Sequence, residues 1–303
     1  MRAIVYDRYG PPEVLRLAEL PDPEPGPGQV RIQIRVAGVN PVDAKSRGGA
    51  FASPDEPAAF PRRVGNEYAG LVDALGPGVT ALAVGEAVLG SAFAQAYAEL
   101  IVADADAVVA KPDSLDWALA GALPAAGQTA AAALTALTIR AGDTLLVHGA
   151  AGGVGTVAVQ LARLRGATVI GTASPANHDY LRALGIIPVA YGDGLVDRVA
   201  THAPGGVDAA LDLVGGESVL ASLALGIAPT RIGTTVDTDA VRSHGIQRVG
   251  GRSIDALREV TELASTGTLR IPVDASLGLG EAAEAHRRIE RGHTRGKVAL
   301  HVN

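Results

Sequence analysis

Apolar and polar residues alternate with period two over residues 2–6 and again over residues 30–36 (VRIQIRV). That period turns every second side chain to one face, so both segments read as half-buried strands. Between them, residues 21–28 (PDPEPGPG) bring four prolines and two glycines together and predict an irregular surface connection. Short Val, Ala and Leu runs broken by Gly and Pro continue to about Lys111 and predict a β-rich unit.

The pattern changes near residues 112–114. Ser114 is expected to cap a helix running through Trp117 and Leu119, with Asp116 placed favourably at its positive end. A second helix is expected over 129–137. Strand-like segments at 144–147, 168–172 and 187–191 then alternate with helix-like ones at 154–164 and 177–184. Residues 207–213, a helix near 218–225, and residues 231–236 and 246–249 extend the series to about six strands. Such alternation predicts a parallel, doubly wound sheet with helices on both faces. Residues 254–265 read as a helix closed by Gly267. A strand at 270–273, a helix at 280–291 and a strand at 297–302 form a separate tail.

Composition narrows the partners. The chain has 303 residues, of which 48% are hydrophobic, enough to bury a substantial core. With 26 basic and 32 acidic residues its formal charge is -6, so no basic field is present to draw nucleic acid or anionic lipid. Residues 117–139 and 144–162 lack charged side chains, but Pro124, Gln128 and three threonines interrupt the first, and four glycines and His148 the second. Buried helices and a strand are expected there, not membrane spans. Arg2 is followed by alternation, not by the apolar core of a secretory signal, and a cytoplasmic protein is expected. Cysteine is absent, which removes disulfides, thiol nucleophiles and thiolate metal ligands.

Residues 143–172 (DTLLVHGAAGGVGTVAVQLARLRGATVIGT) have the length of one strand, glycine turn, helix and strand. Ala150, Gly152 and Gly155 hold the spacing of a G-x-G-x-x-G fingerprint, with alanine in the first position. Gly152 lets a pyrophosphate approach the backbone, and Gly155 lets the helix pack on the sheet. The amides of the helix N-terminus are the anion-binding donors. Sites for NAD carry an acidic residue about 20 positions further on, against the ribose 2′-hydroxyl. This chain has GTASPANH there, in which Gly171 leaves space and Thr172 and Ser174 supply hydroxyls, so NADPH is the expected cofactor. Ser174, just before Pro175, reads equally well as a helix N-cap. Between Gly166 and Arg182 there is no lysine or arginine.

Several segments together resemble the quinone oxidoreductase branch, zeta-crystallin-like and zinc-free, of the medium-chain dehydrogenase/reductase superfamily. They are the opening MRAIVYDRYGPPEVL, residues 36–49 (VAGVNPVDAKSRGG), 60–72 (FPRRVGNEYAGLV), 122–134 (ALPAAGQTAAAAL), the glycine turn, 212–216 (DLVGG) and 293–302 (HTRGKVALHV). Their order and spacing cover nearly the whole chain. The resemblance implies an α/β protein in which a Rossmann domain with a doubly wound parallel sheet is inserted in a GroES-like, β-rich catalytic domain. Residues 1–119 and 269–303 would form the catalytic domain and 120–268 the NADP-binding domain, with cofactor in the cleft between them and a homodimer as the assembly.

Zinc-dependent alcohol dehydrogenases of the superfamily carry a Cys ligand in the segment matching residues 38–43 and a His just before the Glu matching Glu67. Here Asn40 and Asn66 stand at those positions. Asn amides are poor zinc ligands, and no His-rich substitute is evident among seven scattered histidines, so no metal is expected. By the same resemblance Asn40 and Thr129 would approach the nicotinamide, and Gly152, Gly153 and Val154 would meet the pyrophosphate. Ser174 and Tyr191 would lie by the 2′-phosphoribose, with Val214, Gly233 and Thr234 lining strand ends beside the nicotinamide. Plainer roles stay open: Thr129 as a helix cap, Tyr191 as a strand end, Asn40-Pro41 as a turn.

Without a Lewis acid the chemistry needs hydrogen bonds to a developing oxyanion or an acceptor that takes hydride easily, such as a quinone or an activated enone. Asn40 and Asp43 are the candidate catalytic residues, with Lys45, Tyr9 and Tyr97 as further proton donors or orienting groups. Lys45 also reads as a solvated surface lysine. Reduction of enoyl thioesters, or NADPH binding without catalysis as a redox sensor, are the alternatives.

Overall fold

The alternation over residues 30–36 is realised in one long strand: Val30, Ile32, Ile34 and Val36 are buried, while Gln33 and Arg35 between them face out. The computed structural model describes residues 1–53 and 59–302. In chain order the first part contributes β1 (Arg2–Tyr6), β2 (Arg16–Glu19), β3 (Gln29–Val39), α1 (Pro41–Arg47), β4 (Arg62–Arg63), β5 (Glu67–Leu75), β6 (Ala87–Ser91), β7 (Leu100–Asp104), β8 (Val108–Ala110) and α2 (Trp117–Ala122). Next come α3 (Pro124–Ala136), β9 (Thr144–His148), α4 (Gly153–Leu164), β10 (Thr168–Thr172), α5 (His178–Ala183), β11 (Ile187–Val189), α6 (Leu195–His202), β12 (Ala209–Asp212), α7 (Glu217–Ala224), β13 (Ile232–Thr234), α8 (Thr238–His244), β14 (Gln247–Arg248) and α9 (Ile254–Ser265). The tail adds β15 (Val273–Gly278), α10 (Ala282–Glu290) and β16 (Lys297–His301).

Two compact units result. The first comprises Met1–Ala125, Leu257–Thr268 and Pro272–Asn303. Its seven-stranded sheet runs β15-β16-β3-β5-β6-β8, with β7 also paired to β3, and a smaller sheet runs β2-β1-β4. The C-terminal β16 pairs antiparallel with β3, bringing Val298 opposite Val39 and Ala299 opposite Gly38. Chain termini far apart in sequence thus share one core of Ile4, Ile32, Tyr68, Tyr97, Val298 and Leu300.

The second unit, Ala126–Ala256 with Leu269–Ile271, holds six parallel strands in the order β11-β10-β9-β12-β13-β14. The order reverses at β9, which places a topological switch point at the carboxyl ends of β9 and β12, where open α/β sheets bind ligands. Leu145, Leu146 and Val147 of β9 are all fully buried, as a strand covered on both faces requires. Fold class is therefore α/β, a Rossmann sheet inserted in a β-rich unit.

The structure departs from the sequence reading in several places. Asp116, not Ser114, caps α2: its carboxylate accepts from the amides of Ala118 and Leu119, while Ser114 Oγ donates to the Ser265 carbonyl. The second helix starts at Pro124, five residues earlier than expected, because proline fits the first helical turn. Residues 195–202 and 238–244 are helical although no such helices were expected, the second capped by Asp237. No strand covers 270–272; Arg270 pairs through its backbone N–H and carbonyl with the Gln160 side chain of α4, which ties Leu269–Ile271 to the second unit. The units also divide differently from the expected 1–119, 120–268 and 269–303: α2 packs on β3, β5 and β16, Leu257–Thr268 groups with the first unit, and Leu269–Ile271 groups with the second. Among the described residues no helix is long and apolar enough to cross a membrane.

Candidate active site

In the first unit, Asn40 follows the end of β3 and stands at the N-cap of α1, with Pro41 at the first helical position. The Asn40 backbone N–H donates to Asp43 Oδ2 at 2.8 Å, and the Asp43 backbone N–H donates to the Asn40 carbonyl at 3.0 Å, which together start the helix and leave the Asn40 side chain for other partners. Asp43 is fully buried, and its oxygens also accept from Asn66 Nδ2 and from the Tyr97 hydroxyl at 3.2 Å. Burial pushes its carboxyl up to about 6, helped by neighbouring Glu67 and opposed by the Asn40 and Asn66 donors. Burial, with Asp43 next, raises the Tyr97 phenol well above its ordinary range. Both groups are sealed among their partners, so they orient α1 and Asn66 and present no free atom to a substrate.

Asn40's side chain meets a second charged pair. Its Nδ2 donates to Glu67 Oε1 at 2.6 Å, and the Lys297 ammonium donates to Asn40 Oδ1 and, at 2.7 Å, to Glu67 Oε1. Glu67 Oε2 accepts from the Ala125 amide at 2.7 Å. Glu67 is wholly buried and Lys297 nearly so, at 0% and 3% exposure, which makes this a dry ion pair with its remaining lone pairs used. Gly38 on β3 makes room: a Cβ there would lie 2.2 Å from Glu67 Oε1. A zinc ion does not fit this arrangement. The oxygens that could face a metal face an ammonium, Asn40 and Asn66 offer amides, and no group of three or more His, Cys, Asp or Glu among the described residues is placed to hold one.

Further along α1, buried Arg47 donates to the Gly10 carbonyl, to His286 Nδ1 at 3.0 Å and to Glu290. Burial, reinforced by Arg47, holds His286 down to about 3. Lys45 is exposed, and half-buried Tyr9 accepts from Arg62 at 2.8 Å.

In the second unit the glycine turn is built by backbone sterics. Gly152 caps α4, and Gly152, Gly153 and Val154 stay partly exposed. The first intrahelical bond runs from Thr156 N to Gly152 O, so the amides of Gly153 and Val154 precede it. A Cβ on Gly155 would come within 2.2 Å of the Gly149 carbonyl oxygen and 2.8 Å of Ala150 Cα, so only glycine lets α4 approach β9. This cradle suits a pyrophosphate.

The remaining candidates divide. Thr172 is buried, and its hydroxyl accepts from the Gly149 amide at 3.2 Å, which fixes the entry to the turn. Gly171 is buried beneath Ala150. Ser174 is half-buried and accepts from Asn177 at 3.4 Å without capping the short helix that follows. Tyr191 and Val214 are exposed, at 54% and 63%. Thr129 lies mid-helix on α3 beside Gly250, so it is not a cap. Gly233 and Thr234 are buried in β13; the Thr234 hydroxyl donates to Asp212 at 2.6 Å and accepts from the amides of Val236 and Asp237.

Sequence reasoning missed Asp212, Lys297 and the role of Glu67, although DLVGG, NEYAG and GKVAL had marked their segments. Asp212 is fully buried without a cation, satisfied by the amides of Val214 and Gly215 and the hydroxyls of Ser218 and Thr234. His148, also missed, meets Ser222 Oγ at 2.9 Å, and burial lowers it to about 4 despite nearby Asp212.

Comparison with known proteins agrees with both units. Residues 26–113 match the family described as alcohol dehydrogenase GroES-like domain, and 188–300 the one described as zinc-binding dehydrogenase. The chain is 30% identical over 316 residues to the NADPH-dependent alkenal/one oxidoreductase of the Arabidopsis thaliana chloroplast, covering 99% of this chain and 79% of that one. It is 39% identical over 290 residues to polyketide synthase GfsB of Streptomyces halstedii; that match takes in 90% of this chain but spans 5% of the much longer synthase. Its fold superimposes on the quinone oxidoreductase from Coxiella burnetii with a TM-score of 0.89 and 34% identity, covering 100% and 99% of the two chains. A dinucleotide-type turn together with a GroES-like unit in one chain defines a medium-chain dehydrogenase/reductase. The chain belongs to that superfamily, in its quinone oxidoreductase branch.

Proposed function

We propose that the chain is a zinc-independent, NADPH-dependent reductase that transfers hydride to a quinone or an activated enone. The observation that carries this reading is the Asn40-Glu67-Lys297 arrangement, in which an ammonium and an amide stand where a Lewis acid would be needed to reduce an unactivated carbonyl. Gly152, Gly153 and Val154 would hold the pyrophosphate, and Ser174 and Tyr191 the 2′-phosphoribose. Thr129, Val214, Gly233 and Thr234 would shape the nicotinamide end, Thr234 through Asp212. When bound, the reduced nicotinamide supplies the hydride. An enone accepts it at its β-carbon, the π electrons move onto oxygen as an enolate, and solvent protonates the α-carbon; a quinone becomes hydroquinone by the same balance. In the first unit, Asn40 offers the acceptor oxygen a hydrogen bond, and Asp43 holds α1 in register.

The test is stopped-flow loss of NADPH absorbance with 1,4-benzoquinone, 9,10-phenanthrenequinone and but-3-en-2-one. Turnover is expected with all three; tight NADPH binding without turnover would favour the redox-sensor reading. A second reading, reduction of enoyl thioesters, draws on the 39% identity to a segment of a polyketide synthase. Crotonyl-N-acetylcysteamine in the same assay separates it: a kcat/KM above that of the enone and quinones would replace the first assignment. Sedimentation of the purified chain tests the homodimer that accompanies the reading.

A further inference from the structure

Three side chains close a ring around one point in the first unit. Lys297 Nζ bonds to both Asn40 Oδ1 and Glu67 Oε1, and Asn40 Nδ2 bonds to the same carboxylate oxygen. The ring settles the amide's orientation: its oxygen faces a cation and its nitrogen an anion, so a flipped Asn40 would meet repulsion on both sides. The member that retains most surface is Asn40, at 7%, against 3% for Lys297 and 0% for Glu67. One N–H of the Asn40 amide is left over from these bonds, since Glu67 takes the other.

We infer that Lys297 is a positioning residue for Asn40, an internal cation that fixes and polarises this amide in the place where zinc-dependent relatives set a metal ligand. An ammonium on the amide oxygen draws density from the amide nitrogen and makes its remaining N–H a stronger donor, an effect that low local dielectric amplifies. Glu67 neutralises the ammonium, so the pair adds no net charge while it orients the donor. The ring thus prepares a hydrogen bond for negative charge developing on the acceptor oxygen. The inference rests on the proposed hydride transfer at Asn40.

Removing the ammonium alone strands a buried carboxylate, so the test uses the neutral pair Lys297→Met/Glu67→Gln, which preserves volume and leaves no buried charge unpaired. Thermal midpoint, NADPH affinity by fluorescence, and kcat and KM for but-3-en-2-one are measured beside Asn40→Ala and the triple variant. The neutral pair is expected to fold, keep NADPH affinity within twofold and lose about 10²-fold in kcat. Adding Asn40→Ala is expected to cost no more than a further twofold, because the pair acts through that amide. Wild-type kcat in the neutral pair, or losses that multiply in the triple variant, would overturn the inference. A wild type that reduces no electrophile defeats the functional reading instead. The inference is then decided by the Asn40 side-chain amide in 15N NMR: two slowly exchanging, well-separated protons in wild type must become fast-exchanging in the neutral pair, and unchanged resonances sink it.

Discussion

The first unit stores charge in a dry interior, whereas the second makes its turn almost wholly from backbone. Asn40, Glu67 and Lys297 come from three distant places in the chain, with Lys297 lying 257 residues from Asn40, and hold one another by charge-assisted bonds. The glycine turn is contiguous, and on the neighbouring strand Asp212 is met, among the described residues, by neutral donors. The difference teaches where each site is vulnerable: the turn to added atoms, the charged ring to removed ones.

Added volume should do the greater harm. Gly155→Val puts a branched side chain where even a Cβ lies 2.2 Å from the Gly149 carbonyl, so α4 must leave β9. Loss of measurable NADPH binding in calorimetry is the expected result; binding within tenfold of wild type would mean that the turn yields and the contrast fails. Next comes subtraction from the ring. Glu67→Ala leaves the Lys297 ammonium buried without its carboxylate and should cost about 3–5 kcal/mol of unfolding free energy, read from denaturant midpoints. A loss below about 1 kcal/mol would show that water or a rearranged Asn40 replaces the carboxylate.

Acid should also distinguish the units. A histidine held down by burial binds its proton later in the folded state than in the unfolded one, so stability falls as pH drops from about 6.5 toward the folded value. His148 in the second unit, at about 4, and His286 in the first, at about 3, both act in this sense. Asp43, raised to about 6, acts oppositely: between about 6 and its unfolded value near 3.8, the folded state binds more protons and gains stability on acidification. Each pKa unit is worth ~1.4 kcal/mol, so Asp43 offsets part of the His286 loss inside the first unit, while His148 has no such partner among the shifted groups of the second. Hydrogen exchange at pH 6.5 and 4.5 should show β9, β10 and β12 losing protection before β3, β5 and β16, and His148→Gln should erase that gap. Equal loss in both units would break the comparison.

The same contrast explains what could be read in advance. A turn that tolerates no Cβ leaves glycine at fixed spacing, and a strand buried on both faces leaves an apolar run, so the second unit's sheet and its turn were legible. Thr172 and Thr234 were legible as positions but not as roles, because a hydroxyl does not say which way it will point; both are spent on the protein's own backbone and on Asp212. The ring was not legible as a site. Asn40 and Asn66 could be named as absent ligands, yet only the pairing of β16 with β3 brings Lys297 to Asn40 and Glu67. Helices 195–202 and 238–244 were missed because they are short and only moderately apolar, and a single Asp237 cap is a weak mark beside a glycine pair.

The smallest expected effect tests the backbone-built side on its own terms. Ser174 lies just past β10, half-buried, touched by Asn177, and Arg198, past the end of neighbouring β11, gives its donors to the carbonyls of Ala190, Tyr191, Gly192 and Asp193. A 2′-phosphate there would rely on hydroxyls, amides and weak long-range attraction more than on a direct cation pair. Ser174→Asp places a carboxylate against that phosphate but beside the 2′-hydroxyl of NADH, which it can accept. NADPH affinity should fall about tenfold, ~1.4 kcal/mol, with NADH changed by less than twofold, as fluorescence titration would measure. An equal loss for both cofactors would place Ser174 on the shared part of the dinucleotide, and no loss for either would remove it from the site, leaving Tyr191 to make the distinction.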